Sequence, residues 1–392
     1  MMRIAYITAD PGVPVFGRKG CSIHVQEVLR ARIKRGAQID LFAANCSGIP
    51  PADLAAVHLH PLMVPPKGDL TFREQKCLAA NEPLHAALEA EGPFTFVYER
   101  YSLWSFAGME YAHATSTPGL LELNAPLIEE QIEHRGLIDL PNAQLVAERV
   151  LSAATALVAV SDEVAEHFES FAAATGKISV VPNGVNPDRY PPDLKPSLPA
   201  PPGTFTVGFV GSMKPWHGVA KLLEAFSRLH ARFPASRMLL VGDGPGREQL
   251  VAEAASRGLD NAVQFTGAVR PCDVPGLLAS MDVAVAPYPK LESFYFSPLK
   301  VYEYMAAGLP VVASRVGQLE KLIESEVTGL LVRPGDVSAL AGALERVRCE
   351  PRLRQCLGRA ARTKVIRDHT WDAAVERILC LAGVDSREQV VR

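Results

Sequence analysis

The sequence predicts an α/β protein made of two doubly wound parallel-sheet domains. Three observations carry that expectation. A strand, glycine loop, helix and strand open the chain, the same order returns near residue 205, and a proline-rich stretch separates the two. Strands alternating with helices in this way imply parallel sheets covered on both faces. A length of 392 residues suits two domains, and 48% hydrophobic residues supply two cores while excluding disorder over most of the chain.

The elements follow in order. Ile4–Ile7 reads as a strand, and Gly12, Gly17 and Gly20 punctuate the loop after it. Val25, Val28, Leu29 and Ile33 then recur at helical spacing before Gly36 stops the helix, and Ile39–Ala43 is the next strand. Further strands at 95–98, 119–123 and 156–160 run into Glu99-Arg100, Asn124 and Ser161. In the second half, 205–210 is a strand and 211–218 a loop. Val219, Leu222, Leu223, Phe226 and Leu229 form one helix face, and 238–241, 262–265, 283–286 and 310–313 are strands. Between the halves, seven prolines from Pro187 to Pro202 cannot continue a helix or a central strand, so this stretch reads as a semi-rigid linker. The expected domains are therefore 1–186 and 203–370, joined by 187–202. Ligands bind such sheets beyond the carboxyl ends of the strands, so two opposed sheets would present two substrates to each other across a cleft.

Composition narrows the function. A formal net charge of −3 argues against a net-basic nucleic-acid binder, although it leaves room for a local basic pocket. No apolar run approaches the roughly 20 residues of a membrane span, and Met1–Ile7 leads straight into a strand without the pattern of a secretory leader. Seven cysteines without a Cys-x-x-Cys pair oppose a disulfide scaffold or structural zinc and fit a reduced cytoplasm. His58-Leu59-His60 reads as a half-buried strand, since no third metal ligand lies near in sequence. Trp104, Phe106 and Tyr111 read as core packing ahead of an acceptor platform.

The segment 292–308 carries the most chemistry. Ser297 suits an N-cap and Pro298 a first helical turn, which leaves the amides of Leu299 and Lys300 free to face an anion. Lys300 adds a full charge. Glu303, three residues on and on the same face, can accept hydrogen bonds from two adjacent hydroxyls such as those of a ribose. Taken alone, this reads first as a capped helix with a surface Lys–Glu pair.

In context, the chain resembles the retaining GT-B glycosyltransferases of family 4, whose two domains are Rossmann-like. Glu303 with Tyr304–Ser314 looks like the second half of the family's Glu-x7-Glu donor element. Val181-Pro182-Asn183-Gly184-Val185 resembles the entry to its linker, Gly211–Gly218 its phosphate loop, and Val241–Pro245 and Phe265-Thr266-Gly267 its nucleotide-cleft loops. Three departures stand out. Tyr295 occupies the place of the first Glu of the pair, with Glu292 three residues off. Ser212 and His217 replace the Arg and Lys of the phosphate loop, so Lys214 would supply charge and His217 a hydrogen bond to phosphate. Asn124 stands where a His often follows a strand of the N-domain.

The resemblance implies a metal-independent, retaining transfer from a nucleotide sugar, UDP by default, to a hydroxyl acceptor that is a carbohydrate, a lipid-linked glycan or a small metabolite. Peripheral membrane association stays open, and no cofactor beyond the donor substrate is expected. Of the expected catalytic set Lys300, Glu303 and Lys214, the two lysines would stabilise the departing diphosphate and Glu303 would hold the ribose. Gly20, Gly211, Ser212, His217, Gly242, Arg270, Tyr295, Ser297, Pro298 and Leu299 would hold the donor. His24, Glu99, Arg100 and Asn124 would shape the acceptor side. A C-terminal helix from about 371 to 392 would pack back on the N-domain. The alternatives are an inverting enzyme with His24 as base, a GT-B phosphorylase or epimerase, and a non-catalytic sugar-binding protein. A dehydrogenase fails because Arg247 falls where the third glycine of the dinucleotide fingerprint belongs.

Overall fold

The computed structural model describes residues 2–64, 68–291, 294–295 and 297–384. The chain divides into two compact units. One comprises Met1–Asn183, Tyr295–Ser297 and Trp371 onward, and the other Gly184–Phe294 and Pro298–Thr370.

The first unit is a seven-stranded parallel sheet. Its strands are β1 (Arg3–Thr8), β2 (Gln38–Ala43), β3 (His58–Pro61), β4 (Phe96–Arg100), β5 (Gly119–Leu123), β6 (Ala156–Ala159) and β7 (Ile178–Val180), in the order β3-β2-β1-β4-β5-β6-β7. Apart from Arg3, β1 is buried along its length, as is all of β5, as expected of a parallel sheet covered on both faces. Ile7, Phe42, Val97, Leu121 and Leu157 join Met109, Leu151 and Phe168 of the flanking helices in one core. The C-terminal helix Trp371–Leu381 belongs to this unit. Lys34 pairs with Asp372 at 2.6 Å, and the Trp371 ring meets the edge of His24.

The second unit repeats the plan with six strands, β8 (Phe205–Val210), β9 (Ser236–Val241), β10 (Val263–Phe265), β11 (Val283–Ala286), β12 (Val311–Ser314) and β13 (Leu330–Val332), ordered β10-β9-β8-β11-β12-β13. In both sheets the order reverses beside the first strand, which creates the switch point where open α/β sheets take their ligands. The helix Val219–Arg232 buries the five residues expected of its apolar face against Val207, Leu240 and Val285.

The proline-rich stretch, read from sequence as a semi-rigid linker, is docked along its length. It packs with the second unit, where Ser197 N–H donates to the Gly276 carbonyl (2.9 Å), Leu198 N–H to Ser280 Oγ (3.0 Å), and Tyr190 is fully buried. Prolines lack donors, but the residues between them keep theirs, and these dock the segment.

Candidate active site

In the second unit, three loops at the carboxyl ends of β8, β9 and β10 are laced together by their backbones. Met213 N–H donates to the Asp243 carbonyl (3.0 Å), Gly246 N–H to Met213 (2.9 Å) and Gly242 N–H to Gly267 (3.1 Å). Gly242 has φ +126°, and a Cβ there would lie 2.2 Å from the Gly211 carbonyl, so only glycine permits this approach. Gly218, at φ +69°, likewise leaves no room for a side chain against the carbonyl of Pro287.

Lys300 emerges against this loop cluster from the helix Leu299–Ala306. Its ammonium lies 4.3 Å from the centre of the Phe209 ring and 5.5 Å from that of Tyr288. It is buried and has no hydrogen-bond partner among the described residues. Burial, opposed by the Glu303 charge, pulls its pKa down to about 7. An unpaired buried cation costs stability unless a ligand supplies the anion. The helix begins one residue later than the sequence suggested. Pro298 is its N-cap, without a side-chain cap, and Val301 N–H bonds the Pro298 carbonyl. Ser297 instead belongs to the first unit, where its carbonyl accepts from Asn183 Nδ2 at 2.8 Å. Tyr304 fixes the helix to the end of β8, its hydroxyl accepting from Val210 N–H at 2.7 Å.

Glu303 lies on the same helix face and accepts from the Tyr190 hydroxyl (2.8 Å), with Arg189 at 3.6 Å. Both partners come from the proline-rich stretch, which sequence reasoning read as a linker without a part in the site. His217 departs from its expected role. Its Nδ1 sits within hydrogen-bond reach of the Ser212 carbonyl, which can only accept, so Nδ1 carries the proton. Burial, with Lys300 and Lys214 nearby, lowers its pKa to about 3, so the ring is neutral and Nε2 offers a lone pair to a ligand, where a donor to phosphate had been expected. Lys214 is exposed, 4.6 Å over the Trp216 ring. Arg270 is exposed and bound through two nitrogens to Asp273.

The first unit assembles a buried network around Glu122, a residue sequence reasoning passed over although a lone carboxylate in a fully buried strand is itself a signal. Glu122 accepts from His24 Nε2 (2.8 Å), Arg100 (2.9 Å), Asn124 (2.6 Å) and the Tyr98 hydroxyl. Burial alone would raise this carboxyl, but the charge and hydrogen bond of His24, the Arg100 charge and the Tyr98 hydroxyl hold it far below the usual range. His24 Nδ1 meets Asn183 Oδ1 at 2.7 Å. With the Asn183 amide nitrogen committed to Ser297, both neighbours of the imidazole are acceptors. The imidazole is thus held from both sides, by Glu122 and by Asn183. The structure thus brings His24, Arg100 and Asn124 together. It separates Glu99, which lies fully buried under Gly108 with Ser105 donating to it, and desolvation raises its pKa to about 7. Gly20 starts the helix Gly20–Lys34. Tyr295 packs on the first unit's core with its hydroxyl on Glu130, so that hydroxyl is already engaged where a donor contact had been expected. Glu292 lies outside the described residues.

Sequence distance also hid the neighbours of His60. Asp40, His60 and Glu91 bring their ligand atoms within 4.8 Å of one another, but Arg3 already pairs with Asp40 (2.7 Å) and Glu91 (3.4 Å). Of the three aromatics, Tyr111 is in the core, Phe106 lies under the Arg149 guanidinium, and Trp104 lines a cavity of about 470 Å³.

Two family models match the chain. The model described as Glycosyltransferase Family 4 covers residues 18–189, and that for Glycosyl transferases group 1 covers 204–349. The chain belongs to the family 4 glycosyltransferases. Among curated relatives of this glycosyltransferase, a D-inositol 3-phosphate glycosyltransferase of Actinosynnema mirum is 29% identical over 98% of this chain and 97% of its own length. A glycogen synthase of Mycobacterium tuberculosis is 28% identical over 55% of this chain and 50% of its own. Among solved structures, the sucrose-phosphate synthase of Thermosynechococcus elongatus superposes with TM-score 0.72 at 21% identity, covering 97% of this chain and 98% of that one. Anabaena HepE, solved with UDP and glucose, gives TM-score 0.72 at 20% identity over 98% and 100%. These structures share the GT-B fold of two Rossmann-like domains. No helix among the described residues is long and apolar enough to cross a membrane.

Proposed function

We propose that this glycosyltransferase moves a sugar from a UDP-sugar to an acceptor hydroxyl, with retention of configuration and without a metal. The observation that supports the donor assignment is the unpaired, buried Lys300 ammonium beside the Gly211 loop, with the first-turn amides of its helix. A departing diphosphate develops negative charge, and a preorganised cation and amide dipoles in a dry site stabilise it strongly. Glu303 then takes the ribose, its carboxylate oriented by Tyr190. The neutral His217 offers Nε2 as an acceptor to a donor hydroxyl. UDP is favoured because HepE was solved with UDP and with UDP-glucose.

Retention is favoured over inversion because both nitrogens of His24, the base an inverting reading would use, are taken up by contacts to Glu122 and Asn183. In a retaining front-face transfer the leaving phosphate takes the acceptor proton, so no side chain need become a nucleophile. Cytoplasmic action suits the seven unpaired cysteines. Lys300→Met is expected to lower kcat/KM for a UDP-sugar about 100-fold or more with the fold intact, and Glu303→Ala to raise the donor KM. Unchanged kinetics in both variants would remove the donor site. NMR of the product anomer tests retention.

A further inference from the structure

The start of the proline-rich stretch is built as a rigid presenter beside Glu303, wholly within the second unit. Asn186 Oδ1 accepts from Asp188 N–H (3.1 Å), and Pro187 opens the short 3-10 turn Pro187–Arg189 with its fixed φ. Tyr190 N–H closes the turn on the Pro187 carbonyl (2.9 Å). Just before it, Val185 N–H donates to the His369 carbonyl (3.0 Å), and Pro191 and Pro192 stiffen the chain after it. The turn sets two consecutive side chains on one carboxylate oxygen. The fully buried Tyr190 donates its hydroxyl to Glu303 Oε1 at 2.8 Å. Arg189 Nη2 donates to the carbonyl of Pro271, in the segment after β10, at 2.5 Å, and this bond holds Nη1 3.6 Å from the same Oε1. The tyrosine supplies the hydrogen bond and the arginine supplies charge.

Each contact has a consequence for a nucleotide. A diphosphate at Lys300 brings negative charge towards Glu303, whose own charge already reaches Lys300, and Arg189 offsets that repulsion. An ionised carboxylate can only accept, so hydroxyls suit it and a carbon-bound hydrogen does not. A carboxylate free to swing would settle on whichever hydroxyl a sugar offers. One fixed by a buried phenol requires each hydroxyl at a set place, and a missing hydroxyl leaves a poorly solvated acceptor unpaired. We infer that Tyr190 is a positioning residue that makes the donor site selective for ribonucleotide sugars over 2′-deoxyribonucleotide sugars, with Arg189 as the charge that lets Glu303 and the diphosphate sit side by side. The inference rests on Glu303 as the ribose ligand of the transferase reading.

Calorimetric titration of the full chain with UDP and with 2′-deoxy-UDP reads this as a ratio of two dissociation constants. The wild type is expected to bind UDP at least tenfold more tightly than the deoxy form. Tyr190→Phe keeps the buried ring and loses only the hydroxyl, and its ratio should fall to about threefold or less, chiefly through weaker UDP binding. Lys300→Met should weaken both nucleotides and keep the ratio, because the diphosphate is common to the two. Arg189→Met should likewise weaken both by about threefold or more, and Arg189→Lys should recover part of the loss by restoring the charge. Urea unfolding of each variant checks that the fold is kept. A wild-type ratio near one, or a ratio unchanged in a folded Tyr190→Phe, overturns the inference while leaving the transferase reading intact. Binding of neither nucleotide by the wild type defeats the donor reading and the inference with it.

Discussion

Donor binding should draw a proton from solvent, and Lys300 sets how much. With its pKa held at about 7 by burial, about half of the Lys300 side chains are neutral amine at pH 7. A bound diphosphate favours the ammonium and pushes the pKa back towards its ordinary value. Binding at pH 7 should then take up about half a proton, falling to about 0.1 at pH 6 and rising to about 0.9 at pH 8. His217, near 3, stays neutral across this range and adds little. The ligand should be an intact UDP-sugar, because its bridging diphosphate has no proton of its own to exchange near neutrality. Calorimetric titration in buffers of different ionisation enthalpy reads the uptake directly. Uptake that is independent of pH between 6 and 8, or that persists in Lys300→Met, would refute the account.

The same burial has a cost in the empty protein. The folded-state pKa lies below the unfolded value of 10.5, so the unfolded chain binds more protons between about pH 7 and 10.5 and stability rises with pH through that window. Lys300→Met should therefore stabilise the unliganded protein near neutral pH, by at most about 5 kcal/mol, as read by urea unfolding. Glu99 has the opposite sign. Its pKa is raised from 4.5 to about 7, the folded state binds more protons in between, and stability falls as pH rises through that interval. Glu99→Gln should thus gain up to about 3 kcal/mol at pH 8 and almost nothing at pH 4.5. His24→Ala leaves the Glu122 carboxylate buried with only its remaining partners and should cost about 3 kcal/mol in the same assay. A loss under about 1 kcal/mol would mean that His24 is not a main partner of the Glu122 carboxylate.

The fold was legible because parallel strands buried on both faces read as apolar runs, and 205–210 followed by the Val219, Leu222, Phe226 spacing admits little else. Lys300 was legible for a different reason, since a cation in the first turn of a helix after Pro298 announces itself locally. Glu122 was not, because its meaning comes from His24, 98 residues away along the chain, and from Asn183, which meets that same His24 across 159 residues, and only the sheet order brings them together. Tyr190 was hidden by composition. A run of prolines signals extended backbone but is silent on what the residues between them dock against. The His217 proton was misassigned because a tautomer is decided by a carbonyl, and no side-chain pattern reveals where a carbonyl points.

The chain passes between the units four times, at 183/184, 294/295, 297/298 and 370/371. Anyone swapping donor halves among relatives to change the sugar transferred would be tempted to make one splice in the proline-rich stretch. A junction after Tyr190 would graft a foreign neighbour beside Glu303, and it would leave the tail helix and the residues around Tyr295 from the wrong parent. A working hybrid needs four seams, with Gly184 as the first transplanted residue.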